Sequence, residues 1–300
     1  LLPPGANPAA FSGSRFDTPD CHGYAALQSP YPLGLHPAGA RVIPTFVINL
    51  ERDLDRRGSM AERLDVLKIP HKFLKAFHGS DFSPEELDRA SPRHKLSYSV
   101  PLMPNEIATG LSHRAAIAEG ARLDCDFFCV LEDDSVLTPE FASCLDRDKL
   151  SALPDFDALR LCTYPDRWEK PSRIIGYFDD RTVVRMLRPG WGCQGQIYSR
   201  QGARKILASL KYISAPIDFA LYHDCHVSGL RVLEMRPGTV GRDYTKESSV
   251  GDRPPLTHKE TLIQRTGRNT YRARRKFVAA ISFFRAWGIM AFFSFFSIWR

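Results

Sequence analysis

From Arg41 onward, short apolar runs alternate with longer segments in which apolar residues recur every three or four positions. A continuous apolar run of roughly four to eight residues is the mark of a buried strand, and the i, i+3, i+4 recurrence is that of a helix packed on one face. Val42–Leu50 reads as the first strand. "ERDLDRRGSMAERLDVLKI" follows as a helix, with Leu54, Met60, Leu64 and Leu67 at helical spacing. Lys72–Phe77 is the next expected strand. "SPEEL" at Ser83 has a capping Ser, then Pro at the first helical position, then acids, which is a helix start.

The pattern continues with a helix from about Asn105 to Leu123 and a strand over Phe127–Leu131. A further helix starts at Thr138, and "FDALRLC" and "RTVVRML" are two more strand candidates. Ser199–Leu210 is a basic amphipathic helix. Another helix runs from a Ser214 cap to a Gly229 stop, and "LRVLEM" is a last short strand. The stretch between Thr163 and Asp180 reads as a long loop rich in charge and Pro, a candidate lid or acceptor loop. Strands alternating with helices predict an α/β sandwich around a mostly parallel sheet.

Composition divides the 300 residues into three parts. Residues 1–41 hold seven prolines and five glycines and read as a disordered extension with no secretion signal. Residues 42–258 are the α/β body. Residues 259–300 are a basic and hydrophobic tail: from Lys259 onward nine Lys/Arg face one acid, +8 of the net +7, which leaves the rest at −1. A near-neutral body argues against nucleic acid as a partner. The seven cysteines are irregularly spaced and odd in number, which reads as buried thiols in a reducing compartment.

Within the tail, residues 277–299 are apolar on nearly every side, with nine Phe/Trp and Arg285 near the middle. Such a helix reaches roughly 34 Å, enough to span a bilayer. The Arg285 charge and the basic flank favour instead a helix lying in the interface, with residues 265–299 on an anionic membrane surface. A C-terminal span is the second reading, and packing into the core the third. The expected location is cytoplasmic, peripheral on the inner face of the cell membrane.

The chemistry centres on "FFCVLEDDSVL", where an apolar run leads into Glu132, Asp133 and Asp134. In open α/β sheets, ligands sit beyond the carboxyl ends of strands. Alternation in an extended chain places Glu132 and Asp134 on one face and points Asp133 away. Two oxygen-only side chains suit Mn²⁺ or Mg²⁺ better than zinc, with a diphosphate supplying further ligands. A solvated acidic turn is an equally good reading of these residues alone. His223 and His226 lie three apart on one helical face and read as exposed surface before metal ligands.

Five stretches in order, "FVINLERDLDRRGSM", "GLSHRAAI", "VLEDDSVL", "GCQGQIYSRQGARKIL" and "APIDFAL", together resemble glycosyltransferase family 25. This is the family of lipopolysaccharide and lipooligosaccharide galactosyltransferases and collagen galactosyltransferases. The resemblance implies a GT-A type, Rossmann-like α/β/α sandwich and inverting transfer of a hexose, most often galactose, from a UDP-sugar to a cell-surface glycan. It implies Mn²⁺ (or Mg²⁺) at Glu132 and Asp134. It puts Asn49, Arg56, Ser112 and His113 at the donor, with His113 orienting rather than transferring a proton. Gln194 and Gly195 fall on the acceptor side. Asp218 is the nominated base, with Asp133 in reserve; a carboxylate that only favours a helix N-terminus is the plainer reading of Asp218. Arg52 and Arg57 are expected on the helix surface. A non-catalytic binding protein of the same fold and a metal-dependent phosphohydrolase are the competing classes.

Overall fold

Thr45–Asn49 forms β1, and all five residues are buried. Its alternating side chains feed two cores. Val47 belongs to the apolar cluster that includes Met60 and Leu64 of α1 (Leu54–Val66). Phe46 and Ile48 join Ala116 and Ile117 of α3 (Pro104–Arg122) on the opposite face. A strand buried on both faces is the central strand of a layered sandwich, so the expected α/β/α layering is present. The computed structural model describes residues 41–92, 101–162, 172–186, 189–223 and 225–243, with isolated positions from 245 to 281.

The remaining strands of the main sheet are β2 (His71–Lys75), β3 (Phe127–Glu132), β5 (Ala158–Arg160), β6 (Ser172–Phe178), β7 (Arg181–Met186), β8 (Gly195–Ser199) and β9 (Val232–Arg236). Their order is β2-β1-β3-β8-β5-β9-β7-β6. β1 lies parallel to β2 and β3, and β5 to β9. The other four neighbouring pairs are antiparallel. The sheet is therefore mixed, which corrects the expected mostly parallel one. Two features cause this. β6 and β7 form a hairpin through Asp179, whose φ is +52°. β8 enters between β3 and β5 against the direction of both.

β6 also occupies part of the stretch read as a loop. It is an edge strand with Ile174 and Tyr177 exposed, although Ile174–Phe178 is an apolar run interrupted only by Gly176. A second, two-stranded sheet pairs β4 (Ser135–Leu137) with β10 (Val240–Arg242).

The helix starts follow their capping chemistry. The Ser83 hydroxyl accepts from Glu86 N–H at the head of α2 (Pro84–Ala90), and Glu86 accepts from Ser83 N–H in return. Ser199 caps α5 (Arg200–Ser209) by accepting from Gly202 N–H. A Cβ at Gly202 would collide with the backbone of Asp157, so glycine is what allows α5 to sit on the sheet. The segment after Thr138 is a 3₁₀ helix, Pro139–Leu145, followed by α4 (Arg147–Ser151). The helix expected from Ser214 to Gly229 is helical at positions 217–223 and 225–228, with a π-helical turn over Phe219–His223, α6 over Cys225–Ser228, and Gly229 at φ +69° after it. Asp218 lies in its first turn, and its carboxylate accepts from Phe219 N–H, one of the donors that a helix start leaves without a helical partner.

Six described cysteines are free thiols, and all but the half-buried Cys125 are buried. In the tail, helical positions are described between 266 and 281, with Arg274, Lys276 and Phe277 exposed. Most of the 277–299 segment and the 1–40 extension lie outside the described residues, as does the side chain of His223. Among the described residues no helix is long and apolar enough to cross a membrane.

Candidate active site

β1 and β3 run parallel and end at the same edge of the sheet, where antiparallel β8 begins. Asn49, Glu132 and Gln194 are thereby brought to one rim. A cleft of about 550 Å³ opens there, floored by the strand ends and walled by α3, by the segment around Trp191 and by that around Asp218.

β3 ends at Glu132, and Asp133 and Asp134 form a turn into β4. The turn is held from the main chain: Glu132 N–H and the Ser135 hydroxyl both donate to the Gln194 carbonyl, at 3.0 and 2.6 Å. Because the chain turns here, strand alternation does not apply, and all three carboxylates line the cleft. The expectation that Asp133 points away is corrected by this geometry.

Each carboxylate has its own surroundings. Asp133 accepts from Asn49 Nδ2 at 2.8 Å and from Arg56 Nη1 at 3.3 Å, one partner per oxygen. Burial pushes its carboxyl up, and Asn49 and Arg56 pull it back down. Glu132 Oε1 faces His113 Nε2 at 3.0 Å, and its Oε2 faces Gln194 Nε2 at 3.4 Å. Asp134 Oδ2 lies 3.3 Å from Arg242 Nε on β10, and its Oδ1 is buried with no hydrogen-bond partner. Burial first and the Glu132 charge second push Asp134 up to about 6. An unpartnered, repelled carboxylate oxygen beside a second acid is a site that a cation would relieve. Among the described residues, no three His, Cys, Asp or Glu side chains form a ready-made cation site.

On α3, His113 is buried and its Nδ1 has no partner. Ser112 donates to Ala108 O and accepts from Phe77 N–H, which ties α3 to the segment after β2. Both side chains reach the cleft wall. Gly195 sits behind it, where a Cβ would press on Val240. Arg52 lies exposed in the turn before α1, beside Asp53, and Arg57 is exposed on α1 over the Phe73 ring, so only Arg57 is on the helix surface as expected.

Asp218 lines the same cleft. Its Oδ2 accepts from Gly192 N–H at 3.1 Å and its Oδ1 from Phe219 N–H at 2.8 Å. Burial raises its pKa, against the lowering effect of those two bonds. The cleft also takes in Trp191, Arg242, Asn105 and His78, none of which sequence reasoning placed at the site. Trp191 had a signal, since it directly precedes the "GCQGQIYSRQGARKIL" stretch. Arg242 had none, because only the β4–β10 pairing brings it to Asp134.

A mixed α/β sandwich with a carboxylate-lined cleft beyond its strand ends describes a class of enzymes acting on charged, oxygen-rich substrates. The comparison with known families makes this specific: the model of glycosyltransferase family 25 (LPS biosynthesis protein) matches residues 42–221, more than half of the chain. The chain belongs to that family, and it is a glycosyltransferase. No curated protein matches it.

Proposed function

We propose that this glycosyltransferase moves a hexose, with galactose the first to test, from a UDP-sugar to a lipid-linked lipopolysaccharide or lipooligosaccharide acceptor, inverting the anomeric centre. The observation that carries the reading is the gathering of four carboxylates, Glu132, Asp133, Asp134 and Asp218, in the lining of one cleft. Glu132 and Asp134 would hold Mn²⁺ or Mg²⁺; their oxygen-only donor set and the unpartnered Asp134 Oδ1 fit a hard cation. When bound, that cation supplies charge neutralisation for the departing diphosphate.

The protein's own groups divide the remaining work. Asp133 holds Asn49 and Arg56 at the end of β1, where Arg56 can turn a guanidinium toward a phosphate. His113 fixes the Glu132 carboxylate from within α3. Asp218 takes the proton of the acceptor hydroxyl as that oxygen bonds to the anomeric carbon and the bond to the UDP oxygen breaks. A carboxylate with its pKa raised by burial is a stronger base than an exposed one, and its two main-chain bonds fix its position.

The test is UDP release by the full-length protein given UDP-galactose, UDP-glucose and UDP-N-acetylglucosamine, with Mn²⁺ or with EDTA. The expected result is Mn²⁺-dependent release from one donor, lowered about 10²–10⁴-fold in Asp218→Asn. Release that persists in EDTA would remove the cation from the reading, and full activity in Asp218→Asn would remove the base.

A further inference from the structure

Trp191 stands beside Asp218 and is tied to it twice. The next residue, Gly192, donates its N–H to Asp218 Oδ2, and the indole packs 6.0 Å from the ring of Phe219, the residue after Asp218. A third tie comes from below. Arg160, on β5 and 1% exposed, donates from Nη2 to the Trp191 carbonyl at 2.8 Å. Its Nη1 donates to Glu234 at 2.6 Å, and its guanidinium lies 4.5 Å from the centre of the Tyr222 ring. Tyr222 belongs to the π-helical turn after Asp218. A buried cation thus joins the two segments that form this wall. Such a charge is costly to bury and persists where its hydrogen bonds fix a geometry.

What this holds in place is a half-buried indole lining a cleft that also holds four carboxylates. A ligand suited to both presents an apolar face to the ring and hydroxyls to the carboxylates. A pyranose has that form: one face is mostly C–H, and the rim is hydroxyl. An aromatic side chain offers a large apolar area with little conformational freedom to lose.

We propose that Trp191 is a pyranose platform, which takes the C–H face of a hexose on its indole and holds that sugar against Asp218, with Arg160 as the positioning residue beneath. The proposal rests on the nucleotide-sugar reading above. The hexose can come from the donor or from the acceptor, and the experiment separates the two.

The full-length protein, its Trp191→Ala and its Trp191→Phe variants are compared with Mn²⁺ in three measurements: affinity for UDP, UDP release from UDP-galactose in water, and binding of methyl β-D-galactopyranoside to the UDP-loaded protein. In Trp191→Ala, UDP affinity stays within about twofold, which also reports a folded cleft, and one of the other two readings falls about tenfold. Lowered release assigns the donor hexose. Unchanged release with lowered galactoside binding assigns the acceptor hexose. Trp191→Phe keeps most of either. A tenfold loss of UDP affinity would overturn the platform in favour of stacking on the base, and no change in all three would overturn it outright. A wild-type protein that binds no UDP would instead remove the nucleotide-sugar reading itself.

Discussion

Asp134 concentrates the electrostatics of the acidic turn. Folded, it keeps its proton up to about pH 6; unfolded, an Asp releases it near 3.9. Between those values the folded state alone binds the proton, so this group's stabilisation is fullest near pH 4 and is lost as pH rises through about 6. Above that, ionised Asp134 opposes folding by on the order of 1–3 kcal/mol. In EDTA, Asp134→Asn should therefore melt higher than wild type at pH 7.5, with the gap closing toward pH 4. Equal melting at both pH values would mean that Arg242 already neutralises the charge. The three acids could be read from sequence as a cluster, but their common orientation could not. Alternation was the rule available, and the turn at Asp133 and Asp134 suspends it. Asp218 was legible as a carboxylate held by its neighbours. Its bond to Gly192 joins positions 26 residues apart and has no local signal.

At the level of elements, two contacts decide how the layers meet. Gly202→Ala would drive a methyl into the Asp157 backbone at the head of α5, and should cost about 1–3 kcal/mol in urea unfolding. A neutral result would mean that α5 shifts freely on the sheet. Arg160→Met removes one of the two guanidinium groups paired with Glu234, and with Arg236 still in place should cost less than the roughly 3–5 kcal/mol of an orphaned buried charge. Glu234→Met would also take the partner of Arg236, so the double variant Arg160→Met/Glu234→Met should lose less than the two single losses added together, because both remove the same Arg160–Glu234 pair. Additive losses would argue against a coupled pair. Elements with local causes were legible: α2 from Ser83 and Glu86, α5 from Ser199, β1 and β3 from their apolar runs. β6 was missed although its sequence holds the apolar run Ile174–Phe178, because the charge and Pro before it marked the whole stretch as a loop. The helix read across Ser214–Gly229 was legible in its extent, but not its π-helical turn over Phe219–His223, which periodicity does not distinguish from a regular helix.

For the molecule as a whole, charge is divided between a near-neutral body and a tail of +8. If the tail is the membrane contact, removing residues 259–300 should abolish co-sedimentation with phosphatidylserine vesicles and leave UDP binding unchanged. Binding by the wild type should weaken as salt rises, since screening acts on the Lys and Arg residues. Retained co-sedimentation of the shortened protein would move the contact to the body. Layering was the most legible global property, because it follows from strands that are apolar on both faces. Strand order and direction were not, since they depend on β8 and β9 inserting between strands distant in sequence.

The position of β9 has a consequence for how the protein is made. β9 lies between β5 and β7, yet it is synthesised after both. Until Val232–Arg236 leaves the ribosome, β5 has no partner on that side, and the β6–β7 hairpin has nothing to dock on. Two open strand edges then face solvent, with the slot for Leu233 and Met235 exposed between them. A nascent chain arrested at residue 221 should accordingly be cut readily by protease and recruit a holding chaperone. One arrested with β9 outside the exit tunnel should resist both. Completion of the sheet is thus postponed almost to the end of translation of the body, although the acidic turn that begins the cleft is made a hundred residues earlier.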